Sequence, residues 1–133
     1  MIRTILTLPL AAATTFSKSG PICLHGPHQG AQNCTTIGIV ATDADLTKAQ
    51  AQRLATSAHD GIARAIVPSH LPYDGDLIFA SSTNELPLRD EIYDLAEICH
   101  AASLCMARAI ARGFYNAENL PGDPMPTYKK FNS

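Results

Sequence analysis

Thr35 and the Asp-Gly-Asp stretch at 74–76 are the residues whose types and positions could carry chemistry. Thr35 begins the run "TTIGIVAT", whose β-branched residues predict a buried strand. A threonine hydroxyl is a weak nucleophile unless a base lies beside it. If the bond before Thr35 is cut, the new α-amine, with an ordinary pKa of about 7.7–8.0, can act as that base. The alternative is that Thr35 only packs, because threonine favours strands.

Asp74 and Asp76 flank Gly75 immediately before a second apolar run, "LIFASST". Two carboxylates in one loop can share a proton, position a base or hold a cation. The competing interpretation is a solvated Asp-Gly turn. One Asp-Gly-Asp offers too few oxygen ligands at the required spacing for a calcium loop.

Two other constellations are weaker. Zinc could be held by a group of thiols and imidazoles near the N-terminus, but its spacing matches no standard structural site: Cys23, His25, His28 and Cys34. A serine triad could combine Ser57 or Ser69 with His59 or His70 and with Asp60. The chain contains no G-x-S-x-G elbow, and such a triad is defined by geometry rather than by nearness in sequence.

Composition bounds the class of protein. The 133 residues are 46% hydrophobic and 17% charged, which suits one domain with a core, and the net charge of −2 gives no electrostatic footprint for nucleic acid. No apolar run reaches the roughly 20 residues that span a bilayer. Cys99 and Cys105 fall on nearly opposite faces of a helix, so all four cysteines are predicted to be reduced in a cytoplasmic protein. The first 16 residues resemble a weak signal peptide, so a secreted or periplasmic location is the alternative.

The predicted fold class is α/β, with elements in the order β-α-β-α. Residues 1–34 are Gly-, Pro- and Ser-rich and are predicted to be a linker or tail, and 35–133 form the ordered portion. Strands are predicted at 35–42 and 76–83, and helices at 46–66, opened by a Thr47–Gln50 capping box, and at about 89–115. Two strands make a poor sheet, so another chain or a missing half is expected to complete it.

Three stretches carry a family resemblance: "TTIGIVATDADLTKAQAQRLATSAHDGIARAI", "PYDGDLIFASST" and "ARAIARGFYNAENLPGDPMPTYKKF". Together they resemble the β chain of the P1 (S58) family of self-processing peptidases. That family includes L-aminopeptidase/D-Ala-esterase, β-peptidyl aminopeptidases and 6-aminohexanoate-oligomer hydrolase. The resemblance covers about residues 35–133.

The resemblance implies an autocleaved precursor whose new N-terminal Thr35 is the nucleophile, with Asp74 and Asp76 nearby to orient it. It implies an α-β-β-α sandwich in which α and β chains intertwine, and αβ units that assemble into a tetramer. It implies a peptide or short amide substrate and no cofactor.

The chain departs from the family pattern in two places. In threonine-type members Asn usually precedes the nucleophile, whereas here Cys34 does and Asn33 stands one step further back. Cleavage therefore falls either before Thr35, which the strand register favours, or before Cys34, whose thiolate would be a competent nucleophile. The second departure is the missing α chain, which supplies a Lys and an Asn near the nucleophile in the family.

Two rival functions stay open. An acyltransferase of the ornithine acetyltransferase type shares the fold and a threonine nucleophile, but the Asp-Gly-Asp loop and "PTYKKF" favour the peptidase. The other rival is a non-catalytic half that only folds or assembles with a partner.

Overall fold

The computed structural model describes residues 15–16, 35–72, 74–122 and 126–132. The predicted β-α-β-α order of a mixed α/β fold is confirmed, with two short additions, a strand before it and a helix after it. The elements are β1 Thr15–Phe16, β2 Thr36–Ala44, α1 Lys48–Ala65, β3 Leu77–Leu86, α2 Tyr93–Asn116 and α3 Tyr128–Phe131.

The sheet has three strands in the order β1-β2-β3. β2 and β3 are parallel, with Ile37 opposite Leu77 and Thr42 opposite Ser82. Helix α1 supplies the crossover that a parallel pair requires. The N-terminal ends of β2 and β3 therefore lie side by side, and the loops that precede them meet.

Strand β1 pairs antiparallel to β2, with Phe16 opposite Thr36. It lies in residues 1–34, which were predicted to be a linker or tail, because two residues are too few to show a strand alternation in the sequence. The predicted division of the chain at residue 34 otherwise falls outside the described residues.

Helix α1 begins where predicted. The Thr47 hydroxyl accepts a hydrogen bond from the Gln50 N–H, while the Gln50 side chain accepts one from the Thr47 N–H. This reciprocal pair satisfies two backbone donors that the first turn of a helix leaves open. The predicted capping box is confirmed.

Helix α2 begins four residues later than predicted. The Asp90 carboxylate accepts hydrogen bonds from the N–H groups of Ile92 and Tyr93, and the Asp94 carboxylate accepts one from that of Arg89. These bonds hold residues 89–92 in a turn, because an Asp side chain competes with helical hydrogen bonding. The prediction of a helix from Arg89 was therefore wrong at its start.

One face of the sheet packs against α1 and α2. The hydrophobic core between them comprises Val40, Ala44, Leu46, Leu54, Ala58, Ile62, Ile78, Ala102, Met106 and Ile110. The helices approach closely at Gly61, where an added Cβ would lie 2.4 Å from the Ser103 carbonyl oxygen. Only glycine allows that approach, and it seats α1 and α2 tightly enough to bury Met106 completely.

The other face of the sheet is open. Ile37 and Ile39 on β2, and Leu77 and Phe79 on β3, are 37–55% exposed, whereas the alternate residues of β2 are buried. The predicted buried strand is thus buried on one face only within the described residues. The open face is an apolar surface formed by neighbouring strands.

Cys99 and Cys105 are free thiols, as their spacing on the helix predicts. Cys23 and Cys34 lie outside the described residues. In the part of the chain that the structure describes, neither long helix is apolar enough to cross a membrane.

Candidate active site

The candidate active site lies where β2 and β3 begin. Thr35 directly precedes β2 and Asp76 directly precedes β3. Continuing the parallel register backwards by one residue from the Ile37–Leu77 pair places Thr36 beside Asp76. Thr36 and Asp76 are 40 residues apart in the sequence, and the α1 crossover brings them together.

Asp76 is bonded to the backbone beside the predicted nucleophile. The Thr36 N–H donates a hydrogen bond of 3.0 Å to Asp76 Oδ1. The Asp76 side chain is only 8% exposed, so this bond is formed largely out of water. A carboxylate that accepts a backbone N–H in such a place holds that backbone firmly. Asp76 therefore fixes the chain immediately after Thr35.

Gly75 lies directly against the Thr35 hydroxyl. A Cβ at position 75 would lie 2.7 Å from Thr35 Oγ1, closer than real Cβ contacts come, and 3.6 Å from Thr35 Cγ2. The hydroxyl thus faces the one position of the loop that carries no side chain. The absence of a Cβ is what allows the loop and Thr35 Oγ1 to meet.

Asp74 has a different role from Asp76. Leu71 N–H donates to Asp74 Oδ2 at 2.6 Å, and Asp74 N–H donates to the Leu71 carbonyl at 2.8 Å. These two bonds close a turn that sets the path of the chain towards Gly75. Asp74 thus shapes the loop and Asp76 holds β2, a difference that the sequence alone does not reveal.

His70 belongs to the site and was not assigned to it from the sequence. Its Nδ1 lies 2.7 Å from Asp76 Oδ2, and its Nε2 lies 3.3 Å from the His59 carbonyl oxygen. The two imidazole rings are 5.1 Å apart between centroids. Burial, followed by the neighbouring His70, lowers the pKa of His59 below its ordinary value. The sequence feature that could have placed His70 in the site is its position in the same short loop as the Asp-Gly-Asp stretch.

The alternative constellations fare differently. Within the described residues, no hydrogen bond joins Ser57 or Ser69 to the imidazole of His59 or His70. The two imidazoles contact each other, and that of His70 also contacts Asp76. The serine triad thus lacks its central hydrogen bond. The residues of the zinc hypothesis lie outside the described part of the chain, as do Asn33 and Cys34 of the alternative cleavage site. The described residues contain no group of three side chains that could hold a metal ion.

Comparison with known proteins decides the family. A family model described as Peptidase family S58 matches residues 5–126. The chain belongs to peptidase family S58. The match confirms the resemblance to this peptidase family.

Curated relatives agree with this assignment. An uncharacterized aminopeptidase of Mycobacterium bovis is 40% identical over 105 residues, covering 71% of this chain and 30% of the relative. One of Mycobacterium tuberculosis has the same identity and coverage. One of Mycobacterium leprae is 41% identical over 104 residues, covering 71% of this chain and 28% of the relative. The chain thus spans less than a third of the length of these relatives.

The contact between Gly75 and Thr35 can be tested without relying on turnover. We expect Gly75→Ala to destabilise a Thr35→Val protein by about 1–3 kcal/mol, because the valine methyl occupies the place of Oγ1 and the new Cβ overpacks against it. The same change in a Thr35→Ala protein should cost far less, because that place is empty. Thermal unfolding of the four proteins measures the difference. Equal costs in both backgrounds would contradict the contact.

Proposed function

We propose that the protein is an amide or peptide hydrolase whose nucleophile is the hydroxyl of Thr35, made N-terminal by autocleavage of the bond that precedes it. The observation that carries this proposal is the meeting of Thr35 Oγ1 with Gly75 while Asp76 holds the N–H of Thr36. Membership of peptidase family S58 supports a peptidase over the acyltransferase alternative.

The first step is the autocleavage. Oγ1 of Thr35 adds to the carbonyl carbon of residue 34, the amide C–N bond breaks, and the nitrogen keeps the hydroxyl proton. The resulting ester between residue 34 and Oγ1 is hydrolysed by water to a carboxylate and a free hydroxyl. The chain that starts at Thr35 then carries an α-amine beside its own nucleophile.

Turnover uses the same hydroxyl with the α-amine as general base. The amine takes the Oγ1 proton as Oγ1 attacks the carbonyl carbon of the substrate amide, and returns it to the nitrogen that leaves. The acyl group stays on Oγ1 as an ester. Water, deprotonated by the amine, then releases the acid and restores the enzyme. These steps require no cofactor.

The loop at 74–76 supports this chemistry by keeping the start of β2 in place. A misplacement of about 1 Å in a reacting group can cost about a hundredfold in rate. Asp76 restrains the backbone next to Thr35, Gly75 lets Oγ1 approach, and Asp74 holds the turn that presents both.

The active protein is proposed to contain an α chain of the same family, and the open apolar face of the sheet, which another layer could cover, supports this. The αβ unit would be the α-β-β-α sandwich of the family, assembled further into a tetramer. The substrate would be a peptide or short amide oligomer. The name "aminopeptidase" given to the relatives supports a substrate with a free amino end.

The nature of the N-terminal residue tests the proposal most directly. We expect mass spectrometry of the assembled protein to find a free α-amine on Thr35. A free amine on Cys34 would move the nucleophile to the thiol. A chain that stays joined across 33–35 and hydrolyses no amide would support the non-catalytic alternative.

Asp76 should matter more for rate than for folding. In Asp76→Asn the amide oxygen can still accept from Thr36 N–H, but the negative charge facing His70 is lost. We expect turnover of an amino-acid p-nitroanilide to fall at least about tenfold, because a weaker hold on the backbone beside Thr35 lets the nucleophile shift, while the melting temperature stays near normal.

Asp74→Asn is the matched comparison. Its amide oxygen can still accept from Leu71 N–H, so the turn is kept and a smaller loss of turnover is expected. Unchanged turnover in both variants would show that the Asp-Gly-Asp stretch is only a turn.

A further inference from the structure

His70 is placed between two hydrogen-bond acceptors. Its Nδ1 faces the Asp76 carboxylate at 2.7 Å and its Nε2 faces the His59 carbonyl at 3.3 Å. A neutral imidazole donates from one nitrogen only, whereas an imidazolium donates from both. A proton on Nδ1 makes His70 a donor to the Asp76 carboxylate, and a proton on Nε2 makes it a donor to the His59 carbonyl.

Asp76 connects this ring to the nucleophile. Its Oδ2 faces His70, and its Oδ1 accepts the N–H of Thr36, the residue after Thr35. Among the described residues, the His70 ring is the side chain that lies within hydrogen-bond distance of Asp76 Oδ2. A carboxylate that is 8% exposed needs such a partner, because removing a charge from water without compensation is costly. Removing the imidazole would leave Asp76 free to turn away from Thr36.

The backbone of His70 adds an independent sign. Its φ is +57°, in the left-handed region that residues other than glycine adopt uncommonly, although His, Asn and Asp do so more often than the rest. Residues held in this region cost some free energy, and they cluster at active sites. The backbone of His70 is thus held in a less common conformation while its side chain faces Asp76.

We propose that His70 is a positioning residue of the active site, which acts through Asp76 to hold Thr35 in the geometry needed for autocleavage and hydrolysis. This inference rests on the proposed function, with Thr35 as nucleophile. The contacts of the His70 ring are with Asp76 Oδ2 and with the carbonyl and ring of His59. It orders the carboxylate that orders the start of β2.

The test uses substitutions that fit a left-handed backbone. His70→Gly keeps the backbone and removes the ring, and His70→Asn keeps a donor, since the Asn Nδ2 takes about the position of the imidazole Nδ1. In the protein assembled with its α chain, we expect His70→Gly to lower kcat on an amino-acid p-nitroanilide by about tenfold to a hundredfold, with KM changed by less than about twofold. Autocleavage should slow by a similar factor, and His70→Asn should retain most of both rates.

Two further readouts separate positioning from a structural effect. Free imidazole added to His70→Gly should restore part of kcat, since it can donate to Asp76 from the vacated place. His70→Gly combined with Asp76→Asn should be no slower than Asp76→Asn alone, because both changes break the same connection.

Asn84→Gly is the matched control. Asn84 also has a φ of +57°, and it lies near the C-terminal end of β3, about 25 Å along the strand from Asp76 at ~3.3 Å per residue. Removing that side chain should lower stability and leave kcat unchanged. If His70→Gly does not assemble, His70→Asn against His70→Asp carries the test, because the Asp variant has the same shape but offers a second negative charge and no donor.

The outcomes separate the two proposals. If wild type cleaves itself, Thr35→Ala is inactive and His70→Gly keeps its kcat, the role of His70 is wrong and the proposed function stands. If wild type neither cleaves itself nor hydrolyses amides, the proposed function is wrong. An equal loss in His70→Asn and His70→Asp would also overturn the positioning role, since only one of them can donate.

Discussion

Replacing Thr35 by alanine should abolish both autocleavage and amide hydrolysis. One atom, Oγ1, is the nucleophile in both reactions, and Gly75 and Asp76 are arranged around it and around the next peptide N–H. The surrounding strand contacts are backbone contacts that alanine keeps. We expect uncut chain on a denaturing gel and no release of product from an amino-acid p-nitroanilide.

Three variants make the Thr35 experiment specific. Thr35→Ser keeps a hydroxyl and should keep measurable cutting. Thr35→Val keeps the shape and should be as inactive as Thr35→Ala, which excludes packing as the cause. Cys34→Ala should cut like wild type. Normal cutting in Thr35→Ala together with none in Cys34→Ala would move the nucleophile to Cys34.

The second large effect concerns the chain expressed alone. We expect residues 1–133 without an α chain to be aggregated, or poorly folded and inactive. Ile37, Ile39, Leu77 and Phe79 form a contiguous apolar face that the chain itself leaves 37–55% exposed. The outer edge of β3 is unpaired among the described strands, and such edges and faces associate.

Co-expression with an α chain of the family should reverse this behaviour and give a soluble heteromer. Phe79→Glu tests which surface is responsible, because it charges the open face without touching the core. It should prevent assembly with the α chain, whereas Ile92→Glu, at an exposed apolar residue outside the sheet, should allow it. Sedimentation velocity and amide hydrogen exchange measure both. A sharp monomer peak with well-protected amides in β2 and β3 of the isolated chain would contradict the expectation.

Features that depend on neighbouring residues were predictable. The capping box needs only Thr47 and Gln50, three residues apart, and the helix that follows is specified by its own apolar spacing. The separation of Cys99 and Cys105 on α2 follows from helical geometry alone. The order of strands and helices was read correctly for the same reason.

Local competition explains where the prediction of elements was wrong. The second helix was predicted to begin at about Arg89, but Asp90 and Asp94 bond the backbone of 89–93 in a turn, and α2 starts at Tyr93. Strand β1 is specified by its partner β2 rather than by its own two residues. Each outcome depends on a hydrogen bond that spacing does not reveal.

The sequence by itself determined the chemical groups of the candidate site: a threonine at a strand start and an Asp-Gly-Asp before a second strand. Only the tertiary structure decided that they meet. The parallel register brings Asp76 to Thr36, whereas antiparallel strands would have put Asp76 at the far end of β2. Only the structure showed that Asp74 holds the loop turn while Asp76 holds the start of β2, and that His70 contacts the Asp76 carboxylate. The physical reason is that local backbone preferences act between residues a few positions apart, whereas the contacts of Thr35 and Thr36 cross about 40 residues and form only when α1 packs across the sheet.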